Sequence, residues 1–244
     1  MNDYDLIAER YQGAHDKPDV RYSVVPTVLS LVGDLEGRRV LDVGCGDGFF
    51  TELFAARGAA EVYGLDSSAR QIELARQKSR NSNVKYIQQD MFRWSDWGEF
   101  PLVDVVVAPF VLNYAQIWWQ LHGLFEAFRW VLRECDEEGR LVAVIDMPSG
   151  QDLSRFGARK SLPRGAEDGA SMQIELFNEG QPLLTLSAIY FQKETVEINC
   201  RTAKFKEVSW ANPIISQEGL EKMGSGFWEG YLENPELAYL VAEL

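Results

Sequence analysis

The chain is predicted to be an α/β protein built on a doubly wound, mostly parallel sheet. Three observations carry this. From residue 39 to residue 146, short apolar runs suited to strands alternate with amphipathic runs of helical period. The strand runs are apolar along most of their length, which marks strands covered on both faces. The first strand run ends in a glycine-rich turn, Gly44-Cys45-Gly46-Asp47-Gly48, that opens directly into a helical run.

The elements follow in order. Residues 1–35 read as two short helices, over 5–11 and 22–35, separated by Pro18; the second carries Val24, Val25, Val28, Leu31, Val32 and Leu35 as an apolar stripe. Strand 39–43 leads through the glycine turn into helix 49–57, stopped by Gly58. Strand 61–66 is followed by helix 68–79, with Ser67 or Ser68 as its N-cap. Strands at 84–87 and 103–108 precede a long aromatic-rich helix at 116–135, and 140–146 is a fifth strand. From 147 to about 163 the pattern lapses. Two strand-like runs at 171–177 and 183–191, joined across 178–180, then read as a hairpin inserted after the fifth strand, over the carboxyl edge of the sheet. Helix 193–203, strand 205–210, helix 217–232 and a last strand at 237–244 complete the reading. The expected organisation is one domain over 1–244, made of a helical lid (1–35), a ligand-binding core (36–147), an acceptor-side insertion (148–192) and a completion of the sheet (193–244).

Bulk properties restrict the partners. The 244 residues carry 24 Lys and Arg against 37 Asp and Glu, a net charge of −13. Such a surface repels a phosphate backbone, and no run of five basic residues offsets it. No stretch approaches the roughly 18 apolar residues of a membrane span. Three cysteines without tight spacing, Cys45, Cys135 and Cys200, make neither a disulfide framework nor a metal site. With an acidic N-terminus lacking an apolar leader, they point to a reducing, cytoplasmic compartment.

The chemistry is concentrated at three strand ends. In the first turn glycines stand at 44, 46 and 48, behind the acid Asp42. A dinucleotide fingerprint needs G-x-G-x-x-G, and its last position here is Phe49. The G-x-G-x-G spacing suits a ligand with a carboxylate, an amine and a sulfonium better than a pyrophosphate. Asp66 closes the second strand 20 residues after Gly46, where a carboxylate can accept from both ribose hydroxyls. Gln89-Asp90-Met91 follows the third strand, where the acid can accept from an adenine amino group and the methionine can cover the ring.

LDVGCGDG at 41–48, the acid at 66 and QDM at 89–91 resemble the core of the class I S-adenosylmethionine (SAM) dependent methyltransferases over residues 38–146. The resemblance implies a Rossmann-like sheet of seven strands with the last antiparallel, and SAM as cofactor, leaving S-adenosylhomocysteine. It implies cofactor contacts at Tyr11, Asp42, Gly44, Cys45, Gly46, Asp66, Ser67, Gln71, Asp90, Met91, Pro109 and Phe110. Residues 203–210 are similar to the A-G-F-x-x-V-x-W start of the sixth strand, with Lys204 where glycine is usual. The segments 213–219 and 227–235 look like the tail of toxoflavin-pathway N-methyltransferases from bacteria.

The implied reaction is in-line transfer of a methyl group to nitrogen, oxygen or sulfur of a small, flat, neutral or cationic acceptor, with no metal. No general base stands out; His15 in the lid segment is the candidate. Tyr22, Asn113, Tyr114 and Trp118 are candidate acceptor contacts, and the protein is expected as a monomer or homodimer. Three other classes fit less of the sequence: an RNA or protein methyltransferase, a non-catalytic SAM-fold binding protein and an NAD-dependent oxidoreductase. Ala108-Pro109-Phe110-Val111 stands where base-amino methyltransferases have Asn/Asp-Pro-Pro-Tyr/Phe.

Overall fold

The computed structural model describes residues 12–93, 97, 100–132, 139–178, 180–234 and 236–244. Its strands are β1 (Arg39–Val43), β2 (Glu61–Asp66), β3 (Val84–Gln88), β4 (Val105–Pro109), β5 (Arg140–Asp146), β6 (Ala158–Ser161), β7 (Ser171–Asn178), β8 (Gln181–Ile189), β9 (Glu207–Ala211) and β10 (Leu237–Glu243). Its helices are α1 (Val25–Val32), α2 (Phe49–Ala55), α3 (Ala69–Lys78), α4 (Trp118–Val131), α5 (Lys193–Thr202) and α6 (Gln217–Met223). Among the described residues no helix is long and apolar enough to cross a membrane.

Seven strands form one sheet in the order β3-β2-β1-β4-β5-β10-β9. All run parallel except β10, which pairs antiparallel with β5 and β9. The apolar strand runs have a direct cause. Val40, Val105, Val107, Val142 and Val144 pack on one face with Val24, Val28, Phe50 and Phe54. Their neighbours Leu41, Val43, Val106, Ala108, Leu141 and Ile145 pack on the other with Leu121, Phe125, Phe128 and Val196. Each such side chain contributes roughly 1.5–3 kcal/mol by leaving water. Arg140 ties the last crossover, donating to Glu243 Oε1 at 2.8 Å and to the Leu31 carbonyl at 3.1 Å.

Several boundaries differ from the sequence reading, for local reasons. The second N-terminal helix begins as a π-turn at Val20–Val24 and stops at Val32, because Gly33 turns to φ 74°. The first expected helix, at 5–11, lies outside the described residues apart from a 3₁₀ turn that follows it at Gln12–Asp16. Helix 116–135 starts at Trp118 and is described to Val131. The fourth strand shifts to Val105–Pro109, with Val103 only bridging to Leu132. The expected helix over 217–232 ends at Met223: Gly224 takes φ 79°, and a 3₁₀ turn, Ser225–Trp228, swings Trp228 and Tyr231 onto Tyr22 and Phe156. Lys204, standing where glycine is usual in the resembling sequences, has φ 74°.

The insertion is a three-stranded antiparallel sheet, β6-β7-β8, where the sequence suggested a hairpin. The strand missed is β6, Ala-Arg-Lys-Ser, with Ala158 and Lys160 facing inward and Arg159 and Ser161 outward. An inward lysine breaks the apolar alternation that identifies a strand. This small sheet buries Met172, Ile174, Leu176 and Ala188 against Ala14 of the N-terminal segment.

Candidate functional site

The carboxyl ends of β1, β2, β4 and β5 open on one edge of the sheet, where open α/β folds hold their ligands. The turn after β1 is joined to the end of β2. The Gly44 and Cys45 N–H groups donate to the Leu65 carbonyl at 2.7 and 3.0 Å. Gly46 N–H donates to Asp66 Oδ2 at 2.9 Å, and Ser68 N–H to Asp66 Oδ1 at 2.8 Å. Gly44, Gly46 and Gly48 hold φ 68°, 54° and 86°, the left-handed region that side chains avoid.

Two carboxylates flank the turn in opposite states. Asp42 is 1% exposed; Thr51 donates to its Oδ2 at 2.6 Å, and Oδ1 has no hydrogen-bond partner among the described residues. Burial, reinforced by the nearby charge of Asp66, pushes Asp42 up to about 7 against the Thr51 hydrogen bond. Asp47 is also buried, but His15 Nε2 lies 2.9 Å from Oδ1 and Lys78 Nζ 2.5 Å from Oδ2. Burial works against ionisation there, and the hydrogen bonds and charges of His15 and Lys78 overcome it, holding Asp47 at about 2. The His15 ring stacks on Phe49, centroids 4.3 Å apart. The N-terminal segment is thus fastened to the glycine turn.

Two cavities meet over this edge. One, of about 1060 Å³, is lined by Gly44, Gly46, Asp66, Ser67, Gln71, Asp90, Met91, Phe92 and Tyr114. The other, of about 830 Å³, is lined by His15, Lys17, Asp42, Phe49, Tyr114, Asp146, Lys160, Ile174, Leu176 and Leu186. Gly44, Gly46, Pro109, Phe110 and Tyr114 line both. Phe110 is held at φ 61°, its N–H bonded to the Val144 carbonyl at 2.8 Å. For a non-glycine residue that costs on the order of 1–2 kcal/mol, and such strain collects at working sites.

The structure therefore brings together Asp42, Gly44, Cys45, Gly46, Asp66, Ser67, Gln71, Asp90, Met91, Pro109, Phe110, Tyr114 and His15. Tyr11 lies outside the described residues. Three expected acceptor contacts stand elsewhere. Tyr22 is packed edge-on to Trp228 in a separate aromatic cluster. Trp118 is 63% exposed and meets Trp119. Asn113 is fully buried and works as a backbone clamp: Asp146 N–H donates to its Oδ1 at 2.8 Å, and its Nδ2 donates to the Ile189 carbonyl at 3.0 Å. Lys17, Asp19, Asp146 and Lys160 reach the second cavity without having been singled out. No local sequence pattern signals them. Among the described residues no group of three His, Cys, Asp or Glu side chains could hold a metal ion.

Comparison with known proteins places this geometry. Residues 40–134 match the family model described as a methyltransferase domain. Residues 40–134 thus resemble a methyltransferase domain. Over 99 residues it is 46% identical to a ubiquinone biosynthesis O-methyltransferase of Neisseria meningitidis, a match covering 39% of this chain and 42% of that protein. Over 184 residues it is 28% identical to a trans-aconitate 2-methyltransferase of Acidovorax, covering 70% of this chain and 64% of that one. The matched stretches thus span less than two thirds of these relatives. The fold is shared with an S-adenosylmethionine dependent methyltransferase from Mesorhizobium loti, with a TM-score of 0.64 at 15% identity, covering 95% of this chain and 100% of that one.

The residues lining the two cavities fit SAM, the cofactor that the sequence resemblance implies. Two buried polar atoms of residues that line the cavities, Asp42 Oδ1 and Gln71 Oε1, lack hydrogen-bond partners among the described residues. A side chain added at Gly46 would meet nothing nearer than Gln71 Oε1 at 4.0 Å, so the backbone there stands open to a bound molecule. Asp66 braces the turn and also faces the larger cavity. Asp66→Ala is expected to weaken S-adenosylhomocysteine binding by more than about 1.5 kcal/mol, through loss of charge-assisted hydrogen bonds. Titration calorimetry on the folded variant checks this; an unchanged Kd refutes the assignment.

Proposed function

We propose that this chain transfers the methyl group of SAM to a nitrogen, oxygen or sulfur of a small organic acceptor. The observation that carries the reading is the meeting of the two cavities at Gly44, Gly46, Pro109, Phe110 and Tyr114. The larger has the residues suited to an adenosyl group. The smaller is walled by Phe49, Ile174, Leu176 and Leu186 and suits a flat, largely apolar acceptor such as a heteroaromatic natural-product intermediate.

When bound, SAM supplies a methyl group made electrophilic by its sulfonium. The chain's own residues position and enclose. Asp66 and the glycine turn orient the cofactor half, Phe110 and Tyr114 stand at the junction, and residues 1–35 with 148–192 act as a cover that excludes water. His15 has Nε2 engaged with Asp47, so its first task is to hold this cover, ahead of any role as base. A cleft covered from two sides, on a chain of net charge −13, favours a small molecule over nucleic acid, and we place the protein in the cytoplasm as a monomer or homodimer. The relatives support small acceptors by name: one belongs to ubiquinone biosynthesis, the other acts on trans-aconitate.

Thermal melting decides the cofactor class. S-adenosylhomocysteine is expected to stabilise the protein at micromolar concentrations, and NADH is not. Stronger stabilisation by NADH would sink the proposal.

A further inference from the structure

We propose that Lys17 and Lys160 form an anion subsite that takes a carboxylate of the acceptor. This rests on the methyl-transfer reading and names the substrate class more closely. Lys17 is 5% exposed and lines the smaller cavity. Its one partner among the described residues is Asp19 Oδ1 at 3.5 Å, beyond the ~2.7–3.2 Å of a hydrogen bond. That oxygen is already engaged by the Val20 N–H at 2.8 Å. A buried ammonium with three protons and no hydrogen bond is costly unless a ligand supplies the acceptor.

Lys160 is equally buried and lines the same cavity. Its ammonium donates to Asp146 Oδ1 and to the Glu236 carbonyl, both at 2.7 Å, which leaves its third proton for the cavity. Asp19 and Asp146 stand beside the two lysines, and the pair keeps spare donors.

Position separates the Lys160 end of this subsite from the glycine turn. Asp146 ends β5, and β4 stands between β5 and β1. Two strand spacings put Asp146 and Lys160 about 10 Å along the sheet from the glycine turn. The apolar wall of Ile174, Leu176 and Leu186 accompanies the lysines, so the acceptor combines a flat apolar body with an anionic end. An anionic end would set this acceptor apart from the neutral or cationic one expected from the sequence.

The test soaks crystals of the full chain, with and without S-adenosylhomocysteine, in sodium bromide. An anomalous bromide peak within hydrogen-bonding reach of Lys17 Nζ, beside bound S-adenosylhomocysteine, is the expected result. No bromide there, or the carboxylate of S-adenosylhomocysteine itself seated on Lys17, overturns the proposal. In solution, Lys17→Met should change Kd less than threefold for both S-adenosylhomocysteine and 5′-methylthioadenosine, which lacks the amino-acid group. A tenfold loss for S-adenosylhomocysteine alone assigns Lys17 to the cofactor and also overturns it. If the variant does not fold, the bromide map of the wild type decides. If S-adenosylhomocysteine fails to bind the wild type, the methyl-transfer reading falls, and the ligand-free crystals still report on the subsite.

Discussion

Gly48→Ala is expected to cost more than about 3 kcal/mol of folding stability, whereas Gly46→Ala, two residues away, is expected to cost far less and to abolish cofactor binding. A Cβ on Gly48 would stand 2.3 Å from the Tyr86 hydroxyl oxygen and 2.9 Å from Cζ. That ring cannot swing aside. It is buried in a slot whose other side is Gly64, where an added Cβ would meet Tyr86 Cδ1 at 2.8 Å, and its hydroxyl donates to Glu52 Oε1 at 2.9 Å. Overpacking of roughly 1–3 kcal/mol adds to about 1–2 kcal/mol for a side chain in the left-handed region. Gly46 carries only the second cost, and its Cβ would project toward the shared cavity. Chemical denaturation and calorimetry with S-adenosylhomocysteine on both variants separate the effects. Wild-type stability in Gly48→Ala, or retained binding in Gly46→Ala, would contradict this picture of the turn.

Asp42 makes the second large prediction, a fall in stability with rising pH. Its carboxyl titrates near 3.8 when unfolded and is pushed up to about 7 in the folded chain. Between these values the folded state holds a proton that the unfolded state has released. The protein without cofactor should therefore lose stability as pH rises from about 4 to about 7, by an amount on the order of 4 kcal/mol. Asp47 runs the other way: lowered to about 2, it contributes stability above about pH 4 that is lost as pH falls toward 2. Asp42→Asn removes the first slope and leaves the second, so its stability relative to wild type should climb from about pH 4 to about pH 7.5. Urea midpoints across that range provide the measurement, and parallel curves would show that Asp42 is ionised in the folded state.

The cofactor half of the site was legible in the sequence because its signals are local. Gly44, Gly46, Asp66, Asp90 and Met91 all stand at the carboxyl ends of apolar strand runs, and spacing alone puts them on one edge. The proposed acceptor half was not, because it is assembled by packing between distant segments. Lys17 precedes a proline in a polar stretch, and Lys160 sits in a strand of four residues; its partners Asp146 and Glu236 become visible only in the folded chain. Aromatic residues misled for the complementary reason. Tyr22 and Trp118 have the surface to line a pocket, but Tyr22 serves a core cluster and Trp118 faces solvent. Asn113 shows a third failure, a polar side chain near the site whose whole hydrogen-bonding capacity goes to the backbone.

The small β6-β7-β8 sheet has a consequence for how such a protein can change. It leaves the chain after Asp146 and rejoins it at Lys193, without adding a strand to the seven-stranded sheet or a residue to the turn at 44–48. Its anchorage on the larger sheet includes one lysine on a carboxylate and a carbonyl. On the proposed reading, acceptor choice is carried by a cassette, and cofactor choice by the frame beneath it. Grafting residues 148–192 from a related chain should transfer acceptor preference while leaving the affinity for S-adenosylhomocysteine where it was, so that one frame can be refitted to new molecules without relearning its first ligand.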